Sequence, residues 1–433
     1  MSKKLKKSSK NSFNELKAVG PIKRFVHKKN GLSVLYVHKP NTGVVTSHFT
    51  YKAGSRDEAA GETGVAHMLE HMLFKPTVSD KAKKQESAAM RFEKETGAVL
   101  NANTWRDRTT YFFSYPKEHF ATALGIEAER MRGLLIEDKE FLPERNNVLS
   151  EFDMVNGDPY FALTVAMHTA AFQNHPYRHE VIGFREDIAA YTTDTLKRFY
   201  DRFYWPNNAT CIVVGDITEA EALSTIDAKF GAIPHSPTPI VRNNLQDPVQ
   251  QGIRRTAVNR PGTTSIFALG GKHPGVSDRA FYRAVILAKL LTEGPDSILE
   301  RRLVDTGIAT NVGHGIEPSK DTNLLTLFVT VAPNNKKPVE PLVRSIINEL
   351  DVKTVKPYLQ KIKAHLITDE YFSRASSLGL ADELVEYVSA DLVEEFFDTP
   401  AIIESVTPQE VVDMAKQVFA PNNITIGTFN YEN

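Results

Sequence analysis

The chain of 433 residues has a single cysteine, Cys211. One thiol excludes an internal disulfide framework and any zinc cluster built on several thiolates, and it points to a reducing compartment. In the strand-like run Thr210–Val214, Cys211 reads as a packed core thiol rather than a nucleophile. No apolar run approaches the roughly 18 residues of a membrane-spanning helix, which excludes such a span. Neither charge dominates: Lys+Arg is 52 against Asp+Glu 53, a net charge of -1, so no basic field marks a nucleic-acid partner. The first ten residues hold five lysines and three serines but no apolar stretch behind them. The lack of a secretory h-region predicts a solvated basic tail over residues 1–20 and points to the cytoplasm, leaving periplasm and mitochondrial matrix open. What is present is ordinary globular composition, 41% apolar and 24% charged, at a length that predicts two or three domains.

The clearest large-scale feature is an internal repeat. Thr192–Asn208 (TTDTLKRFYDRFYWPNN) and Thr407–Asn423 (TPQEVVDMAKQVFAPNN) align at an offset of 215. Leu196 falls over Val411, Phe199 over Met414 and Phe203 over Val418, and Pro-Asn-Asn closes both segments. Each reads as an amphipathic helix opened by Thr and stopped by Pro, followed by a short apolar strand. Thr46–Gly54 (TSHFTYKAG) resembles Thr264–Lys272 (TSIFALGGK) at an offset of 218. Two matches at nearly one offset predict two homologous α+β domains, 21–234 and 252–433. Each is expected to be an antiparallel sheet covered on one face by helices. Between them, 235–251 holds three prolines and little periodicity, and reads as a linker or hinge. In the first copy the pattern predicts strands at Ser33–His38 and Val44–Lys52 and helices at Gly64–Phe74 and Asp80–Glu95. A hairpin follows (Ala98–Trp105, Thr109–Tyr115), then helices at Lys117–Arg132 and Glu140–Asn156.

The helix GVAHMLEHMLF places His67 and His71 at i, i+4 with Glu70 between them, all on one stripe. Its remaining residues are apolar, so burial of three ionisable groups would cost several kcal/mol without compensation. A divalent metal compensates for them together, and imidazole nitrogens are preferred zinc ligands. The order His-x-x-Glu-His is the inverzincin signature. A catalytic zinc takes a third protein ligand and leaves one position open. Downstream, Glu144–Glu151 (ERNNVLSE) sets two carboxylates two turns apart on one helical face, and geometry alone lets either reach the metal. His175 and His179 share the i, i+4 spacing, but Pro176 breaks any helix between them.

These two segments together resemble the pitrilysin/insulinase and mitochondrial-processing-peptidase family of zinc metallopeptidases. Supporting matches are Gly97–Tyr111 (GAVLNANTWRDRTTY), His175–Gly183 (HPYRHEVIG) and Asp187-Ile188. The resemblance implies one zinc per chain held by His67, His71 and Glu151, with Glu144 steadying the site and Glu70 as general base. It also implies an extended peptide substrate lying against an edge strand matched by Asn101, Ala102 and Asn103.

The second copy lacks this equipment: at the offset of 218, His67, Glu70 and His71 fall on Val285, Ala288 and Lys289. The family often carries a substrate-contacting Arg…Tyr pair in its second domain. Here the matching stretch, Ser297–Asn311 (SILERRLVDTGIATN), has Val304 and Thr310 at those places, with Arg301 and Arg302 nearby. The expectation is therefore the metal-bearing subunit of a two-chain endopeptidase, with a homologous partner supplying the pair. The alternatives are a self-sufficient homodimer and a catalytically silent scaffold of the same fold.

Overall fold

The computed structural model describes residues 10–432 apart from 334, 336 and 337. The first nine residues of the expected basic tail lie outside the described residues. Residues 13–19, assigned to that tail from sequence, instead form an edge strand, because Phe13 is buried against the rings of Phe25 and His27.

Two sheets organise the chain. The first has seven strands in the order β1-β2-β3-β7-β4-β6-β5, and the second has five in the order β10-β11-β9-β12-β8. Their ranges are β1 (Phe13–Val19), β2 (Ile22–His27), β3 (Ser33–His38), β4 (Val44–Tyr51), β5 (Val99–Thr104), β6 (Thr109–Pro116) and β7 (Ala209–Gly215). The second sheet comprises β8 (Arg254–Pro261), β9 (Ser265–His273), β10 (Ala309–Gly315), β11 (Asn323–Val331) and β12 (Ile424–Glu432). Read from its other edge, the second sheet runs β8-β12-β9-β11-β10, strand for strand the order β3-β7-β4-β6-β5 of the first. The sheets are mixed, not purely antiparallel as expected, since β3 pairs parallel with β7 and β8 with β12. The closing strand of each copy returns beside the opening one only after the intervening helices, and that long crossover permits a parallel pair.

The helices repeat in the same sense. The first half supplies α1 (Val65–Met72), α2 (Phe120–Gly133), α3 (Asp138–Asn156), α4 (Pro159–Ala171) and α5 (Thr193–Phe203). The second half supplies α6 (Phe281–Thr292), α7 (Val339–Asn348), α8 (Val352–Ser373), α9 (Ser377–Ala390) and α10 (Pro408–Val418). The repeat-bearing helices α5 and α10 are both capped by a threonine side chain, and the aligned residues Leu196, Phe199, Phe203, Val411, Met414 and Val418 are all buried. The single helix expected over 80–95 is two, Val78–Ala82 and Ala88–Thr96. Lys84 takes a left-handed conformation, and the Asp80 carboxylate accepts from the Ala88 N–H, opening the second helix there.

Packing divides the chain into two compact units that are not contiguous in sequence. One contains the chain up to Ser150, Val181–Asn243 and Phe372–Phe397; the other contains Glu151–Glu180, Asn244–Tyr371 and the chain from Asp398. Each unit thus takes one helix from the opposite half. Helix α9 lies across β4 and β7 of the first sheet, and its Leu380, Leu384 and Val388 join Leu35 and Val37 of β3 and Ile212 and Val214 of β7 in one buried cluster. Helix α4 lies across β8, β9 and β12 of the second, where Leu163 and Met167 meet Ile266, Ala268 and Phe429. The expectation of one covered face is corrected at the centre of the first sheet: every residue of β7 is buried, as its unbroken apolar run ATCIVVG requires.

The linker has neither helix nor strand, yet its two ends are tied. In the first unit, Arg242 grips the Asp57 carboxylate through Nε (3.0 Å) and Nη2 (2.7 Å). In the second, Asp247 accepts from the backbone N–H groups of Gln173, Asn174 and His175 and from Lys272. Among the described residues no helix is long and apolar enough to cross a membrane.

Candidate metal centre

Helix α1 presents the chemistry, and both of its ends are held. Gly64 opens it at φ 90°, where a Cβ would stand 2.3 Å from the Ile182 carbonyl oxygen, so only glycine fits. The buried carboxylate of Glu58 accepts from the Gly64 and Ala66 N–H groups at 2.7 and 2.9 Å, placing negative charge at the positive end of the helix. Asp187 fixes the approach by accepting from the Thr63 N–H and hydroxyl. At the other end, Arg130 reaches the Leu73 carbonyl (3.5 Å), pairs with buried Glu127 and lies over the rings of Phe74, Tyr111 and Phe113.

Along the half-buried face of α1, His67 and His71 bring their Nε2 atoms to 3.3 Å. Two donors at zinc–nitrogen distances of about 2.05 Å on a tetrahedron are about 3.3 Å apart, so the pair is already spaced as ligands. Glu151 completes the set: one ligand atom from each of His67, His71 and Glu151 lies within 4.8 Å of the others. The donor set, two imidazoles and a carboxylate, suits zinc. Burial, reinforced by neighbouring His71, pushes the His67 pKa down to about 3, so this imidazole is neutral with a lone pair available.

Glu144 and Glu151 share α3 but meet different neighbours. Glu144 contacts His71 Nδ1 at 2.8 Å, pairs with Lys75 and accepts from Asn147. The hydrogen bond with His71, aided by Lys75, holds its carboxyl at about 2 against the effect of burial. A carboxylate only accepts, so Nδ1 of His71 carries the proton and Nε2 faces the site as a lone pair. Glu70, on the same helix, accepts a 2.5 Å hydrogen bond from the Thr104 hydroxyl at the end of β5.

The remaining expected positions scatter more. Asn101, Ala102 and Asn103 lie on β5, an edge strand of the first sheet. Asn101 accepts from the N–H of Ala102, while Asn103 accepts from Arg108, whose guanidinium also pairs with Glu386 of α9. His175 and His179 flank a short 3-10 turn and contribute to no metal cluster among the described residues. Cys211 is buried. Sequence reading missed Glu58, Lys75, Thr104 and Arg130, whose signal is only spatial: they act across turns and between strands.

The family model described as Insulinase (Peptidase family M16) matches residues 33–184, and that described as Peptidase M16 inactive domain matches 190–377. The chain belongs to the M16 peptidase family. Among M16 relatives, the zinc protease PqqE of Helicobacter pylori is 30% identical over 417 residues, covering 94% of this chain and 92% of that protein. The crystal structure of a protease from Helicobacter pylori superposes with a TM-score of 0.86 at 28% identity, covering 96% of this chain and 99% of that one. The periplasmic protease PqqL of Escherichia coli shares the fold, with a TM-score of 0.75 at 20% identity; it covers 97% of this chain, which spans 48% of its length. The boundary between the two M16 models falls beside α5, within the first copy of the repeat.

Proposed function

We propose that the chain is a zinc endopeptidase in which His67, His71 and Glu151 hold one zinc ion and Glu70 is the general base. The observation that carries this reading is the convergence of the three ligand atoms on the helix that also bears Glu70. When bound, zinc supplies Lewis acidity toward a carbonyl oxygen and lowers the pKa of water toward 7. Glu70 takes the proton of the attacking water and returns it to the amine nitrogen as the C–N bond breaks. The Thr104 hydroxyl orients this carboxylate, and Glu144 sets the tautomer of His71. Edge strand β5 receives the substrate as an added strand, through backbone groups rather than side chains.

The test is Glu70→Gln, which retains zinc and the fold while turnover falls by about 10²-fold or more. Near-normal turnover with zinc bound would remove Glu70 from the mechanism.

A two-chain enzyme is the finer reading. Val304 and Thr310 stand where the Arg…Tyr pair is expected, and the nearby guanidiniums are engaged locally, Arg301 with Asp296 and Arg302 with Glu349. A homologous partner of similar length with an intact pair supplies the missing oxyanion donors. One such donor is worth on the order of 10²–10³ in turnover. The isolated chain is then nearly inactive at full zinc occupancy, and adding the partner restores that factor; full activity alone selects the homodimer. A zinc-free chain selects the silent scaffold.

A further inference from the structure

The internal repeat gives the metal centre a counterpart in the second unit, and the counterpart has changed chemistry. Helix α6 places Lys289 where α1 has His71. The long helices α3 and α8 each contain a proline, Pro143 and Pro357, and those prolines fix their mutual register. In that register Glu144 becomes Tyr358, Asn147 becomes Lys361 and Glu151 becomes His365. Lys289, Tyr358, Lys361 and His365 all line one cavity of about 490 Å³, together with Arg301. Where the first copy of the repeat brings carboxylates and imidazoles suited to a cation to these places, the second brings cations and a phenol.

The charges in this cavity are unevenly matched. Lys289 pairs with Glu293 at 2.5 Å, whereas Asp296 serves both Arg301 (2.5 Å) and Lys361 (3.6 Å). Among the lining residues three cations thus share two carboxylates, with Asp305 acting on Arg301 from outside the lining, and His365 stands one turn beyond Lys361. In the wall, Ser297 is 3% exposed and its hydroxyl has no hydrogen-bond partner among the described residues. Leu290, Pro295 and Ile362 add apolar surface beside the charged groups, and the volume lies in the range of small-molecule sites.

We propose that this pocket binds an organic carboxylate, the C-terminal carboxylate of a short peptide, between Arg301 and Lys361 with the adjoining side chain against Ile362. The added carboxylate completes the pairing that Asp296 leaves shared, and a guanidinium beside an ammonium suits two carboxylate oxygens. Hydrolysis of a peptide bond generates such a group, so the choice of a peptide as its source rests on the peptidase reading. The cationic pocket itself does not.

The experiment uses the full chain with metal removed by chelator, so that it is independent of turnover. Fluorescence anisotropy follows an N-terminally labelled tetrapeptide of alanine and leucine, as free acid and as C-terminal amide. The free acid binds; amidation, Arg301→Gln or Lys361→Gln each weakens binding by about ten-fold, while Lys139→Gln, at an exposed lysine of the first unit, leaves it unchanged. Both substituted side chains are more than half exposed, and unchanged melting temperatures show that the variants are folded. Acetate displacing the peptide at millimolar concentration assigns the site to small free acids instead of peptides. Equal binding of acid and amide, indifference to both substitutions, or equal displacement by inorganic phosphate overturns the proposal. Failure of the Glu70→Gln test, by contrast, leaves this result untouched.

Discussion

The two copies of the repeat are built on one plan, yet one assembles a candidate metal centre and the other does not. Their shared five-strand order and matched helices show that the scaffold is indifferent to this chemistry. The difference lies in a few side chains on two helices: His67, Glu70 and His71 against Val285, Ala288 and Lys289, and the α3 glutamates against Tyr358 and His365. The helix starts differ in detail as well. Helix α1 begins at a left-handed glycine, with the Glu58 carboxylate accepting from both the Gly64 and Ala66 N–H groups, whereas α6 begins at a right-handed Ala280 whose N–H donates to the Asp278 carboxylate two residues upstream.

The largest effect that tests this contrast is on the metal. His71→Ala or Glu151→Ala lowers zinc from about one per chain to near zero, read by elemental analysis after dialysis. Val285→Ala and Lys289→Ala at the counterpart positions leave it unchanged. Wild-type zinc content in Glu151→Ala would remove that ligand.

The next tests the exchange of helices. Leu384→Ala on α9 and Met167→Ala on α4 delete fully buried side chains from helices lent to the opposite unit. Each is expected to cost about 2–5 kcal/mol in chemical denaturation. If the exchange is equivalent on both sides the two losses are similar. A negligible loss for one would show that its helix is not integral to the sheet it covers.

Smaller still is the effect of strand glycine. A Cβ on Gly427 would stand 2.6 Å from the Met167 sulfur and 2.9 Å from Leu163 Cδ1. Gly427→Ala therefore overpacks the α4 side of the second sheet, by about 1–3 kcal/mol. Its loss should shrink in the Met167→Ala background, where the space has been vacated.

The subtlest is pH-dependent and concerns the second-unit end of the linker. Burial pushes the Asp247 carboxyl up, but the Lys272 ammonium and three backbone N–H groups outweigh it and hold the group at about 2. A depressed carboxylate pKa stabilises the fold fully above the ordinary value near 3.8, and that contribution fades as pH falls through about 2. The melting-temperature gap between wild type and Asp247→Asn is thus widest above pH 4 and closes toward pH 2. A gap that is constant over this interval would show that Asp247 contributes nothing through its charge.

Much of this was legible in the chain itself. The period of apolar residues located α1, α3, α5, α10 and the β5–β6 hairpin, because those segments carry their own amphipathic pattern and stops. The repeat of Thr-capped helix, Pro-Asn-Asn and strand predicted two related sheets. The spacing of His67, Glu70 and His71 defined the candidate metal face, since i, i+4 geometry is a property of any helix. The parallel strand pairs, the break at Lys84 and the strand at 13–19 were not legible. Each depends on a partner distant in sequence or on a local left-handed residue that periodicity does not register.

By itself, then, the sequence determined which residues carry donors and which helix presents them, for these follow from residue type and helical spacing. Residue spacing left open which α3 glutamate meets the histidines; the family resemblance implied Glu151, and the tertiary structure brings Glu151 to them while Glu144 turns to His71 Nδ1. Both lie on one helical face, and the choice depends on where α3 crosses α1. It alone decided the reciprocal lending of α4 and α9, because an apolar helix face and a doubly buried strand state that they need covering, not by what. It also decided that Glu58, Thr104 and Arg130 serve α1. Hydrogen-bond reach is a matter of distance in space, and the chain records distance only along itself.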